Sequence, residues 1–226
     1  MKSNEIDALV KDRMANKDEN IFPVYDGIVN EKKYYKSKFK ILWILKEPHG
    51  EGNWDMKDFI GNRNSLRKYT NWTRTFNPII YITYSILNKF ISYDEMFNIH
   101  QKPEMIDILQ EIAFINLKKV PGTSISQSKI IKDAYEKYKD IILLQIETCS
   151  PDIIICGGTM SIIAKDLGIE GKLISMDSIK YYQTRDKIYI DALHPNQRGV
   201  QEDYCNDIII TVKNWVKKIK LRKNNL

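Results

Sequence analysis

The chain has 226 residues, 43% of them hydrophobic and 28% charged, with a formal net charge of +6. These values are ordinary for a globular protein with one substantial core, and no apolar run reaches the ~18 residues of a membrane span. The charged N-terminus indicates no signal peptide. The three cysteines form no CxxC pair, which argues against a zinc ribbon, an iron–sulfur cluster or a disulfide framework. We expect one monomeric cytoplasmic domain, 1–226, that makes no contact with a membrane.

The predicted elements alternate between helices and short apolar strands. In chain order they are an N-terminal helical cap (1–39) with a helix over 6–14, a strand over 40–45, a mainly helical stretch over 66–97 broken at Pro78, a strand over 112–116, a helix from Ser126 to Cys149, a strand over 152–156, a helix over 159–167, a strand over 187–192, and a C-terminal basic helix (200–226) that is helical over 202–220. Nearly continuous apolar strands are typical of buried parallel sheets. The predicted fold is therefore α/β, a three-layer α/β/α arrangement with a central, mostly parallel four-stranded sheet.

Residues with catalytic potential follow each predicted strand. The strands lead into Glu47, Asn116, Gly157-Gly158 and His194. Because ligands of open α/β sheets bind beyond the carboxyl ends of the strands, we expect these residues to meet on one rim. Each also has a structural interpretation: an exposed loop acid, an Asn that closes a turn, glycines that let a helix start near the sheet, and a core histidine. Their convergence favours an active site.

The motifs at this rim resemble those of the uracil-DNA glycosylase superfamily in order and spacing. In that family an acid and a proline follow the first strand, as in GQDPYH or GEAPG, and this chain has LKEPHG. The last strand leads into HPSPLS and in some members continues to an HRG, and this chain has HPNQRG. FINLKKVPG is similar to the TNAVKCRPPG segment of some branches, and DFIG falls at the spacing of their PFVG segment. The resemblance spans roughly residues 40 to 200.

The resemblance implies a monofunctional DNA glycosylase, acting in repair or in defence against foreign DNA, that flips a nucleotide into a pocket and hydrolyses the bond between base and sugar. Glu47 would stabilise the sugar cation and orient or deprotonate water. His194 would donate a hydrogen bond to the base as negative charge develops on it. The cysteines that bind a cluster in the GEAPG branch are absent, so we expect no iron–sulfur cluster, no other metal and no cofactor.

Four further residues are implied to bind the base. Asn116 would contact its Watson–Crick edge, since an amide offers both a donor and an acceptor. Phe59 would stack on the flipped base, with ordinary core packing as the alternative. Pro48 and His49, which follow Glu47 in the first motif, would complete the pocket.

The implied partner is DNA, duplex or single-stranded, bound without strong sequence preference. Lys118, Lys119, Arg63 and Arg198 are candidate phosphate contacts, and a solvated surface position is the alternative for each. The motif leucine that helps to push the base out in HPSPLS is missing, and Gln197 or Arg198 is the expected substitute. The basic C-terminal helix is either a solvated helix end or a further DNA contact.

Two other classes of function remain open from the sequence. Asp191 and His194 form a DxxHP block similar to that of SGNH ester hydrolases, but the first serine after the first strand is Ser65, and no GDS motif supplies a nucleophile. The other class is a non-catalytic nucleic-acid binding module. Glu47 argues against it, because a carboxylate repels phosphate.

The loop after the first motif suggests the base. In the GQDPYH branch the tyrosine after the motif proline excludes a 5-substituted pyrimidine, and this chain has the smaller His49 at that position, followed by Gly50-Glu51-Gly52-Asn53. The glycines predict a mobile loop with little side-chain volume, or else a shaped surface turn. On the first interpretation, polar groups of His49, Glu51 and Asn53 would bond a 5-substituent, so we expect bulky or polar 5-substituted pyrimidines to be cut at least as well as uracil.

Overall fold

The computed structural model describes residues 3–15, 22–50, 52, 54–68, 70–122, 127–171, 173–175, 179–197 and 199–224. The α-helices are α1 (Ser3–Ala15), α2 (Glu31–Lys36), α3 (Met56–Gly61), α4 (Arg63–Lys68), α5 (Thr70–Leu87), α6 (Ser128–Cys149), α7 (Met160–Ile163) and α8 (Gln201–Asn224), with a 3₁₀ helix at Pro103–Glu111. The strands are β1 (Val24–Tyr25), β2 (Gly27–Ile28), β3 (Ile41–Leu45), β4 (Trp54–Asp55), β5 (Ile112–Asn116), β6 (Ile153–Gly157), β7 (Leu173–Ser175), β8 (Lys180–Gln183) and β9 (Ile188–Ala192).

The main sheet has seven strands in the order β2-β5-β3-β6-β9-β8-β7. Its centre, β5-β3-β6-β9, is parallel throughout and consists of the four strands that the sequence predicts. β2 pairs antiparallel with β5 at one edge, and the antiparallel pairs β8–β9 and β7–β8 extend the other. β1 and β4 form a separate two-stranded parallel sheet. The prediction of a four-stranded sheet is therefore wrong in extent: the chain is mixed α/β with a mixed seven-stranded sheet.

Helices cover both faces of this sheet. Successive residues of a strand point to opposite faces, so each central strand contributes side chains to two separate cores. Ile41, Trp43 and Leu45 pack into a core with α3, α5, α8 and the 3₁₀ helix. Leu42 and Ile44 pack into a second core with α1, α2, α6 and α7. All five residues of β3 are buried, as expected of a central strand covered on both faces.

Several element boundaries differ from the prediction. The segment 1–39 is not purely helical, since residues 24–28 form β1 and β2. Pro78 lies inside α5 without ending it, and α5 stops at Leu87 instead of continuing to 97. The helix predicted over 159–167 is only four residues long. Ser126, the expected N-cap of α6, lies outside the described residues, and Gln127 is the N-cap.

The parallel strands place their carboxyl ends at one edge of the sheet, and the polar residues that follow β3, β5 and β9 lie there. The described part of the chain contains no helix long and apolar enough to cross a membrane. Within the same residues, no group of three or more His, Cys, Asp or Glu side chains is arranged to hold a metal ion.

Candidate active site

Glu47 is held beneath the loop that follows β5. Backbone hydrogen bonds join the two loops beyond the strand ends, from Lys118 N to Lys46 O (2.9 Å) and from Gly122 N to Pro48 O (3.0 Å). The ammonium of Lys118 donates to Glu47 Oε2 at 2.6 Å and to the carbonyl of Pro121 at 3.1 Å. The Glu47 side chain is only 7% exposed, so this ion pair is largely shielded from solvent and fixes one carboxylate oxygen.

Gly122 provides the space that the Glu47 carboxylate occupies. A Cβ atom at position 122 would lie far closer than 3.0 Å to the carboxyl carbon and to both oxygens of Glu47. Cβ atoms are essentially never found so close to another heavy atom. The glycine at the end of the FINLKKVPG motif therefore allows the loop to close over the acid.

His194 approaches the same region from the end of β9. Its Nδ1 accepts a hydrogen bond from the backbone N–H of Asn196 at 3.1 Å, which places the proton of the neutral imidazole on Nε2. Burial, and then the neighbouring Lys46 and His49, lower the pKa of His194 to about 4. The side chain is therefore a neutral hydrogen-bond donor at physiological pH.

The glycine turn after β6 lets the His194 loop pass close to the sheet. A Cβ at Gly157 would lie 3.1 Å from Pro195 Cδ, and the N–H of Gly158 donates to Ala192 O at 2.8 Å. These contacts hold the His194-Pro195 segment against the end of β6. The glycine pair therefore makes room for the segment that carries His194, and this packing helps to position the histidine.

A pocket of about 450 Å³ opens at this rim. Five of the residues proposed from the sequence line it: Glu47, Pro48, His49, Asn116 and His194. Glu47 contributes a carboxylate, His194 a neutral donor and the buried Asn116 an amide. The expected convergence of these groups at the carboxyl ends of the strands is present in the structure.

Sequence reasoning missed the aromatic and basic lining of this pocket. Phe76 and Phe114, whose ring centroids are 5.8 Å apart, both line it, as do Met56 and Arg74. Phe114 could have been found, because it precedes Asn116 by two residues on the same strand and therefore shares its face. Phe76 and Arg74 lie near the start of α5, where no motif marked them.

Phe59 is not among the residues that line the pocket. Its ring packs edge-on against Trp54, with centroids 5.8 Å apart, and against the core beneath α3. The proposed stacking role of Phe59 is therefore replaced by its alternative, core packing. The DFIG motif lies at the predicted spacing along the chain, yet α3 presents its phenylalanine to Trp54.

The described basic residues proposed as phosphate contacts are paired with carboxylates of the protein. Lys119 is 3% exposed and donates to Asp26 Oδ1 at 2.6 Å, so its assignment to the DNA surface is wrong in this structure. Burial lowers the pKa of Lys119 although Asp26 is adjacent. Arg63 forms a bidentate ion pair with Asp107 away from the pocket, and Lys118 binds Glu47.

The expected substitutes for the missing leucine lie differently. Gln197 lines a second cavity of about 670 Å³ and not the pocket with Glu47. Arg198 lies outside the described residues. Two other cations have no ion-pair partner among the described residues: Arg74, which is exposed at the pocket, and Lys46, which lowers the pKa of His194.

Asp191 belongs to the second cavity, together with Ser161 and Gln197. Burial raises the pKa of Asp191, and Lys180 opposes that shift. An SGNH triad needs the histidine Nδ1–H to donate to the aspartate. Here Nδ1 of His194 accepts from Asn196 instead, which disfavours the ester-hydrolase alternative.

The loop after Pro48 is shaped by packing. Gly52 has φ +83°, and a Cβ there would lie 2.9 Å from the Cβ of Phe22. This close contact supports the turn interpretation of the glycines. Glu51 and Asn53 lie outside the described residues, whereas the exposed His49 remains at the pocket as a polar group.

No known protein-family model matches this chain, and a search of curated proteins finds no significant match.

Proposed function

We propose that this protein is a DNA glycosylase that hydrolyses the N-glycosidic bond of a flipped-out pyrimidine. The observation that supports it best is the shared pocket of Glu47, His194 and Asn116. A carboxylate and a neutral imidazole N–H that face one cavity are the two groups such a reaction uses. The volume of about 450 Å³ falls within the usual range for ligand pockets.

In the proposed reaction the bond between C1′ and the base nitrogen breaks, and its electron pair leaves with the base. The Nε2–H of His194 stabilises the resulting negative charge on a base oxygen, and one such donor contributes about 3 kcal/mol. The Glu47 carboxylate stabilises the sugar cation and accepts a proton from the water that attacks C1′, a contribution of ~10²–10⁴-fold. The products are the free base and an abasic sugar.

Phe114 and Phe76 take the place of Phe59 in the proposed base pocket. Aromatic rings at the pocket wall suit the face of a planar base, and stacking contributes about 1–3 kcal/mol per base. Asn116 lines the same pocket, with its Nδ2 3.7 Å from the sulfur of Met56, and would contact the hydrogen-bonding edge. The proposal thus keeps the edge contact expected from the sequence and exchanges the stacking residue.

Proposed phosphate contacts move from the paired lysines to Arg74 and Lys46. Arg74 lines the pocket, and Lys46 follows β3 with its side chain beside Gly158. Neither has an ion-pair partner among the described residues, so neither must break such an ion pair to bind phosphate. DNA binding that makes no base contacts outside the pocket would be mainly electrostatic. Its affinity would therefore fall as the salt concentration rises.

The decisive experiment is a panel of duplex and single-stranded oligonucleotides, each with one modified base, scored for base release by alkali cleavage at the abasic site. The expected result is release from at least one substrate by the wild type and none by Glu47→Gln. Tight DNA binding with no base release from any substrate would favour a binding module and contradict the proposal.

The identity of the base is a finer proposal. His49 at the pocket leaves room beside the 5-position, and we expect a 5-substituted pyrimidine to be cut at least as fast as uracil. Time courses on uracil and on 5-substituted uracils and cytosines, in otherwise identical oligonucleotides, measure this. Rapid uracil release with no activity on any substituted base would show that the pocket is closed at that position.

A further inference from the structure

A buried ion pair lies directly behind the pocket. Asp26, between β1 and β2, is 2% exposed, and its Oδ1 accepts from Lys119 Nζ at 2.6 Å and from Gln145 Nε2 at 3.1 Å. Gln145 Nε2 also lies 3.3 Å from the backbone oxygen of Asp26. Burying two charges is costly unless they are paired and hydrogen-bonded, and an apolar pair of similar volume is often no less stable. Global stability therefore gives no evident reason for a charge at this position.

The second carboxylate oxygen of Asp26 faces Asn116. It accepts from the Asn116 backbone N–H at 2.8 Å, and the side-chain Nδ2 of Asn116 lies 3.5 Å away. On its other side, Nδ2 lies 3.7 Å from the thioether sulfur of Met56. A carboxylate and a thioether can only accept hydrogen bonds. Both neighbours therefore favour the amide nitrogen of Asn116 over its oxygen at this position.

The reversed orientation of the amide is unfavourable for the same reason. Rotation by 180° would bring Oδ1 of Asn116 against an ionised carboxylate in a site removed from water, where the repulsion is weakly screened. The ion pair with Lys119 at the other oxygen keeps Asp26 in place, and Gln145 donates a further hydrogen bond to that same oxygen. With Nδ2 held toward Asp26, the carbonyl oxygen of Asn116 is left for the pocket that this residue lines.

We propose that Asp26 is a positioning residue that fixes the amide of Asn116 with its carbonyl oxygen toward the pocket, and so selects a base edge that carries an N–H group. This inference rests on the proposed glycosylase function. An imide N–H, as in uracil and 5-substituted uracils, complements that oxygen, whereas the unprotonated ring nitrogen of cytosine faces it with a lone pair. The charge on Asp26 is essential, because a neutral amide at position 26 could face either end of Asn116.

The test compares a double variant, Asp26→Asn/Lys119→Met, with the control Gln145→Leu. The double variant removes both buried charges together, so no unpaired charge is left in the core, and it retains the shape of residue 26. Gln145→Leu removes two hydrogen bonds to Asp26 but keeps the ion pair and the carboxylate that faces Asn116. Both variants are checked first for cooperative thermal unfolding.

The first measurement needs no enzymatic activity. Hydrogen exchange of the Asn116 side-chain amide is followed by nitrogen-15 NMR in the free protein, with the signal assigned by its absence in Asn116→Ser. We expect exchange at least about 10-fold faster in the double variant and within about 2-fold of wild type in Gln145→Leu. Equal exchange in wild type and the double variant would overturn the proposal, even if no substrate is cleaved by any form.

The second measurement is the ratio of kcat/KM for a uracil-containing oligonucleotide to that for the matched cytosine oligonucleotide. We expect this ratio to fall at least about 10-fold in the double variant, because the amide can then rotate, and to be unchanged in Gln145→Leu. A ratio that falls equally in both variants would indicate only general loosening of the core and would refute the role of Asp26. If wild type releases no base at all, the proposed function fails and the exchange measurement alone decides the position of the amide.

Discussion

Replacing Gly122 by alanine adds one methyl group at the point where the 117–122 segment covers the carboxylate of Glu47. The backbone of Gly122 is not in the left-handed region, and its N–H bond to Pro48 O does not involve the α-carbon substituent. Alanine is therefore compatible with the backbone conformation. The effect of the substitution falls on the side chain opposite, whose carboxyl carbon and both oxygens lie well within 3.0 Å of the added Cβ.

The magnitude follows from how little room Glu47 has. Its side chain is 7% exposed and held by Lys118 at 2.6 Å, so relief of the overlap requires a shift on the order of 1 Å in the carboxylate or the loop. A misplacement of about 1 Å of a catalytic group can lower a rate about 100-fold. Added methyl groups in a packed interior cost about 1–3 kcal/mol of stability. We expect Gly122→Ala to fold, to lose about 1–3 kcal/mol, and to release base about 100-fold more slowly.

The assay is single-turnover base release with enzyme in excess, beside thermal unfolding followed by circular dichroism. Gly61→Ala is the matched control, because the nearest atom to its added Cβ is Val29 Cγ1 at 3.3 Å, away from the pocket. We expect the control to keep wild-type activity. A Gly122→Ala protein with the wild-type rate would show that the position of the Glu47 carboxylate does not govern the reaction.

Three further predictions concern charge and protonation. Glu47→Gln should abolish base release while DNA affinity is kept or increased, whereas Asp191→Asn, in the second cavity, should change the rate less than about 10-fold. The reverse pattern in the same base-release assay would contradict the catalytic role proposed for Glu47. Because folding lowers the pKa of His194 to about 4, its stabilising contribution is present above about pH 6.5 and is lost as the pH falls toward 4. The free energy of unfolding of wild type, from urea titrations, should therefore drop by up to about 3 kcal/mol relative to His194→Gln over this window, and parallel curves would refute the buried neutral state. Arg74→Gln should lower the slope of log affinity for DNA against log salt concentration by about one ion. Arg63→Gln, which removes a charge already paired with Asp107, should leave that slope unchanged. Equal slopes for wild type and Arg74→Gln would exclude Arg74 as a phosphate contact.

The central sheet could be predicted because its four strands are long apolar runs, buried on both faces. The edges could not, since β2 has two residues and β7 has three, too few for a pattern of alternation to stand out. β8 and β9 did leave a signal, because the Thr184–Lys187 segment between two strand-like runs closes a hairpin with a backbone bond from Thr184 N to Lys187 O. The predicted four-stranded sheet does not include this hairpin.

Within the candidate site, position along the chain was a good guide only for residues at strand ends. Asn116 ends β5, and Glu47 and His194 come shortly after β3 and β9. Because these strands belong to one parallel set, the sheet itself fixes the edge at which the three residues lie. Phe59 lies on a helix, where a rotation of about 100° per residue decides whether a side chain reaches a pocket, and motif spacing does not determine that rotation. Phe76, which does line the pocket, also lies on a helix. Its place in the pocket could not be predicted from the sequence for the same reason.

The two adjacent lysines after β5 explain why net charge alone is a poor guide to this site. Lys118 and Lys119 follow an extended strand, so their side chains point to opposite sides of the chain, one to Glu47 and the other to Asp26. Each cation is bound to a carboxylate inside the protein, and the pair therefore contributes no free positive charge to the rim. On the proposed function, one lysine supports the carboxylate that acts on the sugar, and the other supports the amide that contacts the base.

Affinity for phosphate must then come from cations that have no such ion pair, and Arg74 and Lys46 meet this condition among the described residues at the rim. A chain of net charge +6 is thus expected to bind DNA at its pocket through few phosphate contacts.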